Sequence, residues 1–303
     1  MPQTFFGPYD ERNQDYANSG NANLGRFPLG HTLILPDDRQ YRFCLNDATV
    51  EIAGRLYQSV AAVADHTTRP ADVARAIDAV LASATLTGTA AAIDIYAEGV
   101  FHTGDLVGEG YTYRIKRAFT AGAAHEASVA SGVLTVNFAA GEMIQVALDT
   151  TSSVTFTRNR YHQVLIAAAP PTAAVTGVSP GVAAANRFYW SQVKGYAAVL
   201  ASGTLRAGLP VMAGITTAGS VESTKRRIQV GASTTLVLTS NGSFAFLDSG
   251  GVTTGFSILA VSSSVAAQGI DITGGIAQNG PTVGICVKAN PTGDHALIDL
   301  AIV

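Results

Sequence analysis

The chain is predicted to be all-β, built from β-sandwich or barrel-type domains with at most one short helix and an extended N-terminal arm. Three observations carry this. Strand-forming runs are short and are followed within a few residues by Gly, Asn, Asp or Ser; 31 of the 303 residues are glycine; and an Asn-Gly pair sits between two such runs. The expected organisation is an arm over residues 1–30, a β domain over 31–168 and a second β domain over 169–303.

Residues 1–30 show no hydrophobic period and carry isolated aromatics, Phe5, Phe6, Tyr9 and Tyr16, among Asn and Gln. Such a segment buries too little apolar surface to offset its own ordering entropy. It is either a frayed tail or an arm whose aromatics contact a neighbouring subunit or a capsid. From His31 the pattern turns to strands. His31–Leu35, the turn Pro36-Asp37-Asp38-Arg39 and Gln40–Cys44 read as a hairpin. Residues 48–60 continue in the same manner. Pro70 then opens the helical candidate, with Val73, Ile77, Val80 and Leu81 on one face.

Strands are expected again at 92–96, 111–115, 133–138, 143–148 and 154–157. Pro170-Pro171 suggests a linker or domain crossing, and strands resume at 188–193, 197–200, 234–238 and 244–247. The Asn241-Gly242 pair supplies the positive φ angles of a type I′ turn between the last two. Ala296–Val303 reads as a terminal strand, buried in the sheet or in a subunit interface.

Charged residues are only 14% of the chain, against about 25% in an average protein, so much of the surface is neutral. A net charge of −3 and a pI near 6.0 give phosphates no long-range attraction, and nucleic acid is not an expected partner. Lys225-Arg226-Arg227 is read as a solvated turn. The chain holds no apolar run of the about 18 residues that a membrane helix needs, and its first residues lack the pattern of a secretory signal. Cys44 and Cys286 have no metal-ligand spacing and are expected to be buried thiols.

Chemical motifs are weak. Gly177-Val178-Ser179-Pro180-Gly181 matches a nucleophile elbow, but Pro180 has no N–H to donate to an oxyanion. Ser191 and Lys194 match S-x-x-K within a run that reads as a strand, where residues three apart face opposite sides. The histidines lack metal-ligand spacing. Asp94, Glu98, Asp105 and Glu109 bracket glycine turns without the spacing of a calcium loop. No catalytic residue, metal or cofactor is therefore assigned.

Tyr96–Gly99, Gly108–Lys116, Asn186–Gly195 and Ala198–Leu200 resemble virion structural proteins of tailed bacteriophages, specifically capsid decoration or cement proteins. The similarity spans roughly residues 25–215; residues 216–280 resemble nothing in particular. The resemblance implies a non-enzymatic protein on the outer capsid surface, assembled in the host cytoplasm. It implies a homotrimer that touches the major capsid protein and clips neighbouring capsomers together. A tail, fibre or receptor-binding component and a secreted glycan-binding or hydrolytic β protein are the alternatives.

Overall fold

The computed structural model describes residues 27–117, 131–224 and 281–302. One compact unit takes in residues 1–224 and 280–303, and a second takes in 225–279. The Asn241-Gly242 hairpin, the basic triplet and the arm aromatics Phe5, Phe6, Tyr9 and Tyr16 lie outside the described residues.

The protein is all-β, and the antiparallel sheets curl into a half-barrel. The strands are β1 (Thr32–Ile34), β2 (Gln40–Leu45), β3 (Leu56–Gln58), β4 (Arg69–Pro70), β5 (Leu81–Thr85), β6 (Val100–Asp105), β7 (Thr112–Arg114) and β8 (Val133–Asn137). They continue as β9 (Ser153–Thr157), β10 (Leu165–Ile166), β11 (Val175–Val178), β12 (Phe188–Leu200), β13 (Pro210–Ala213), β14 (Val221–Ser223), β15 (Thr282–Lys288) and β16 (His295–Ala301). The helical element described is a single 3₁₀ turn, Ala64–His66.

The largest sheet has 10 strands, in the order β10-β3-β11-β12-β16-β15-β13-β14, with β2 also pairing β12 and β1 pairing β2. A 4-stranded sheet, β4-β9-β6-β7, and the β5-β8 pair make up the rest of the described strands. The expected boundary at 168/169 is corrected by this pairing. Strands from both sides of it share the large sheet, so residues 31–168 and 169–303 are not separate domains. The Pro170-Pro171 stretch is accordingly a loop pinned to β3. The Gln58 side chain accepts from the N–H groups of Ala168 (3.0 Å) and Thr172 (3.2 Å) and donates to the Thr172 hydroxyl (2.8 Å).

The β12 strand organises the core. Its first half, Phe188–Val193, is buried throughout. Alternation sends Phe188 and Trp190 into one cluster with Leu33, Tyr41 and Phe43, and Tyr189 into another with Cys44, Tyr57 and Val164. Its second half packs Ala197 and Val199 among aliphatics of β13, β15 and β16 and leaves Tyr196 and Ala198 exposed. The smaller sheets enclose an aromatic core of Tyr96, Phe101, Tyr113, Phe138 and Phe156. The terminal strand is interior, with β12 on one side and β15 on the other.

The helix expected over 70–81 does not form. Arg75 exchanges backbone hydrogen bonds with Leu148, Asp78 N–H donates to Ile144, and Asp78 takes a φ of +69°, which no helix tolerates. The apolar stripe of Val73, Ile77 and Val80 is left exposed. Two expected strands also differ. Residues 93–98 form turns, with Asp94 and Glu98 at positive φ, and 143–148 is irregular apart from one bridge to Arg75. The expected strands 188–193 and 197–200 are one strand of 13 residues.

Candidate functional site

The interruption that made β12 look like two strands is a β-bulge, and the candidate site is built on it. Pairing with β2 runs in step from Phe188 to Gln192 and then slips, so that Lys194 stands opposite Gln40. Gly195 absorbs the slip at φ +84°. A Cβ there would meet the Arg39 Cγ at 2.9 Å, so only glycine lets the Arg39 stem lie against the strand. From behind, the buried Gln192 amide donates to the carbonyls of Lys194 (3.1 Å) and Tyr196 (3.0 Å). One side chain thus satisfies the two backbone acceptors that flank the glycine, which fixes the directions of Lys194 and Tyr196.

The facing wall is the β1–β2 turn. Leu35 N–H donates to Arg39 and Asp38 N–H to Leu35, while Asp38 has a φ of +66°. This is a three-residue hairpin loop, a tight turn closed by one left-handed residue, with Pro36 presetting the first corner. It carries Asp37, Asp38 and Arg39 to the bulge. Lys194 Nζ lies 2.7 Å from Asp38 Oδ2, and Arg39 Nε lies 2.6 Å from Asp37 Oδ2. The hydrogen bond and charge of Lys194 hold the Asp38 carboxyl below the usual carboxylate range. Partial burial pushes Asp37 up, but its bonds to Arg39 outweigh that and leave it lowered.

Asp299 of β16 stands opposite Tyr196 on one side and Ile285 of β15 on the other. It completes an open cleft of about 620 Å³ lined by Asp37, Asp38, Arg39, Lys194, Tyr196 and Asp299, with Gly195 on its floor. Tyr196 is 60% exposed, an unusual place for an aromatic ring in the middle of a wide sheet.

The sequence motifs go elsewhere. Ser179 is buried and its hydroxyl donates to the Gly181 carbonyl at 2.7 Å, so the nucleophile-elbow match is a structural loop. Ser191 is buried while Lys194 is exposed and paired to Asp38, so the two do not meet. His66 is a core histidine, its ring nitrogens bonded to the Tyr96 hydroxyl and the Thr89 carbonyl. Glu98 pairs with Arg117 at 2.8 Å and accepts the Leu29 N–H at 2.6 Å, tying the root of the N-terminal segment to the turn after Tyr96. Burial raises the Glu98 carboxyl, and Leu29, Arg117 and Arg114 pull it part of the way back. Among the described residues no group of His, Cys, Asp or Glu is arranged to hold a metal ion. Phe27, where the described chain begins, packs its ring on Trp190 at 5.4 Å and on His31 at 5.2 Å.

Comparison with protein-family models, curated proteins and solved structures matches none of them to this chain.

Sequence reading missed this cleft, although one signal for it stood in plain view. An isolated glycine inside a strand pattern marks a bulge or a close backbone approach, and Gly195 sits between two runs already read as strands.

Proposed function

We propose that this chain is a structural virion protein that decorates a tailed-phage capsid, bridging neighbouring capsomers as a symmetric homo-oligomer, a trimer, in contact with the major capsid protein. One observation carries the reading: several exposed apolar side chains fall in local groups. The Glu51 N–H donates to the Ala183 carbonyl and so ties the loop bearing Val50 and Ile52 to that bearing Val182; these side chains are 54%, 46% and 67% exposed. Val73, Ile77 and Val80 form a second group on the segment whose backbone is bonded to 144–148.

Apolar patches of this kind mark contact surfaces. The chain as a whole carries few charges, 14% of its residues, which keeps the desolvation cost of covering its surface low. A clip that joins several capsomers adds contacts which must all break before the lattice opens, so modest patches act together. The resemblance of residues 96–99, 108–116, 186–195 and 198–200 to capsid-associated proteins supports the choice of partner.

The test is to mix the purified chain with undecorated capsids of its phage and image them by cryo-electron microscopy. Ordered density at lattice positions is the expected result, and deletion of residues 1–24 is expected to weaken it while leaving the circular dichroism spectrum unchanged. Bare capsids, or density at the tail alone, would move the chain to a tail or fibre role.

A further inference from the structure

We infer that the cleft between the β1–β2 turn and the β12 bulge binds a neutral saccharide, with Tyr196 as the platform and Asp299, Lys194, Asp38 and Arg39 as the hydroxyl-reading groups. The inference is independent of the capsid reading and rests on how the cleft is constructed and charged.

Construction comes first. The site is held by the Gln192 amide behind the strand, by the glycine that admits Arg39, by the Lys194–Asp38 ion pair that joins bulge to turn, and by the Arg39–Asp37 pair within the turn. None of these is needed to close the sheet, since β12 pairs regularly with β16 through the same stretch, Lys194 to Leu200. A bulge costs ladder hydrogen bonds, and its usual effect is to re-aim side chains. Here it aims a tyrosine and a lysine at one volume.

Charge then selects the ligand class. The lining holds three carboxylates, Asp37, Asp38 and Asp299, against two cations, Arg39 and Lys194, and both cations are already engaged by carboxylates. An anion would meet net negative charge and have to break an ion pair, which disfavours phosphate, sulfate and nucleotides. A neutral polyol breaks nothing. Each hydroxyl can donate to a carboxylate and accept from an ammonium or guanidinium, so vicinal hydroxyls match side chains of both kinds placed side by side. Asp299 has no hydrogen-bonded or ion-paired side-chain partner among the described residues, which leaves its carboxylate free to accept.

The tyrosine supplies what charge cannot. Its ring offers an apolar face beside a polar tip, which complements a pyranose ring with an apolar C–H face edged by hydroxyls. The volume of about 620 Å³ falls inside the range of roughly 300–1,000 Å³ typical of small-molecule sites.

The experiment applies the full chain to a printed array of neutral, sialylated and sulfated oligosaccharides. The strongest neutral probe is then titrated against wild type, Tyr196→Ala, Asp299→Asn and, as a control far from the cleft, Thr112→Ala. Expected are retention of neutral probes over anionic ones, a loss of affinity of about 10-fold or more in both cleft variants, and no change in Thr112→Ala. Tyr196 and Asp299 are exposed on the sheet face, so both variants should keep the wild-type circular dichroism spectrum. Asp299→Asn keeps the shape and removes only the charge. No retained probe, preference for anionic probes, or binding unchanged in both cleft variants would overturn the inference. None of these outcomes bears on capsid attachment, so the two readings fail separately.

Discussion

Glu51 is 2% exposed, buried among Tyr57, Tyr189 and Cys44 beneath the loop that carries Val50 and Ile52. Burial pushes its carboxyl from 4.5 up to about 8, opposed in part by the Tyr57 and Tyr189 hydroxyls. The same crowding raises the Tyr189 hydroxyl and the Cys44 thiol well above their usual ranges, burial first and the Glu51 charge second. The folded state therefore holds the Glu51 proton more tightly than the unfolded chain. Its contribution to stability is complete below pH 4.5, declines as pH rises, and is lost once pH passes about 8. Glu51→Gln keeps the neutral shape at every pH. Unfolding free energies from urea titrations between pH 4 and pH 9 should fall in wild type relative to Glu51→Gln, by an amount on the order of a few kcal/mol at the alkaline end. Parallel pH profiles for the two proteins would show that this carboxyl does not titrate with folding. Gln192 is the other residue whose polarity is structural. Gln192→Leu leaves the Lys194 and Tyr196 carbonyls without their side-chain donor and should destabilise by about 1–3 kcal/mol in urea unfolding; Gln192→Glu recovers part of this at most, because a carboxyl has one proton to donate where the amide has two.

Elements show why part of the sequence was legible and part was not. The β1–β2 hairpin was read correctly because its information is local: Pro36-Asp37-Asp38 supplies a preset corner and a residue tolerant of left-handed φ. The stripe at Val73, Ile77 and Val80 has helical spacing, yet backbone partners 65–75 positions downstream, at Ile144 and Leu148, took the segment instead. No window of helical length contains them. Residues 93–98 were apolar enough for a strand, but Asp94 and Glu98 turn the chain at positive φ. The cleft failed for the same reason as the helix. Asp38 and Lys194 are 156 residues apart, and each had been noted only for its local role, one in a turn and one in an accidental S-x-x-K. A test of the bulge belongs at this scale. Gly195→Ala places a Cβ at positive φ and against Arg39, and should cost about 1–3 kcal/mol. Gly195→Ala combined with Arg39→Ala relieves the contact but not the dihedral, so it should recover only part of the loss.

At the scale of the whole molecule, the chain leaves the large sheet at Thr224 and re-enters it at Pro281. β14, which precedes the gap, and β15, which follows it, both run antiparallel to β13 and flank it, so they are parallel to each other with one strand between. Two strand spacings are about 10 Å. The exit lies beside Pro210 and the return beside Ala213, as the bonds from Thr224 to the Pro210 carbonyl and from Ala213 to the Pro281 carbonyl show. A replacement linker therefore has to span the width of β13 and its length from Pro210 to Ala213. Ten Gly/Ser residues reach about 33 Å when extended, enough for that path. The strands on either side of residues 225–279 are held by β13, by the β15–β16 ladder and by a buried core of Val211, Val221, Val283 and Cys286. Replacing 225–279 with a ten-residue Gly/Ser linker should therefore preserve cooperative unfolding and shift Tm by no more than a few degrees. Changing the length of the connection adds little, because closure cost varies only with the logarithm of the number of residues closed. A non-cooperative melt or an insoluble product would mean that the large sheet does not fold without residues 225–279.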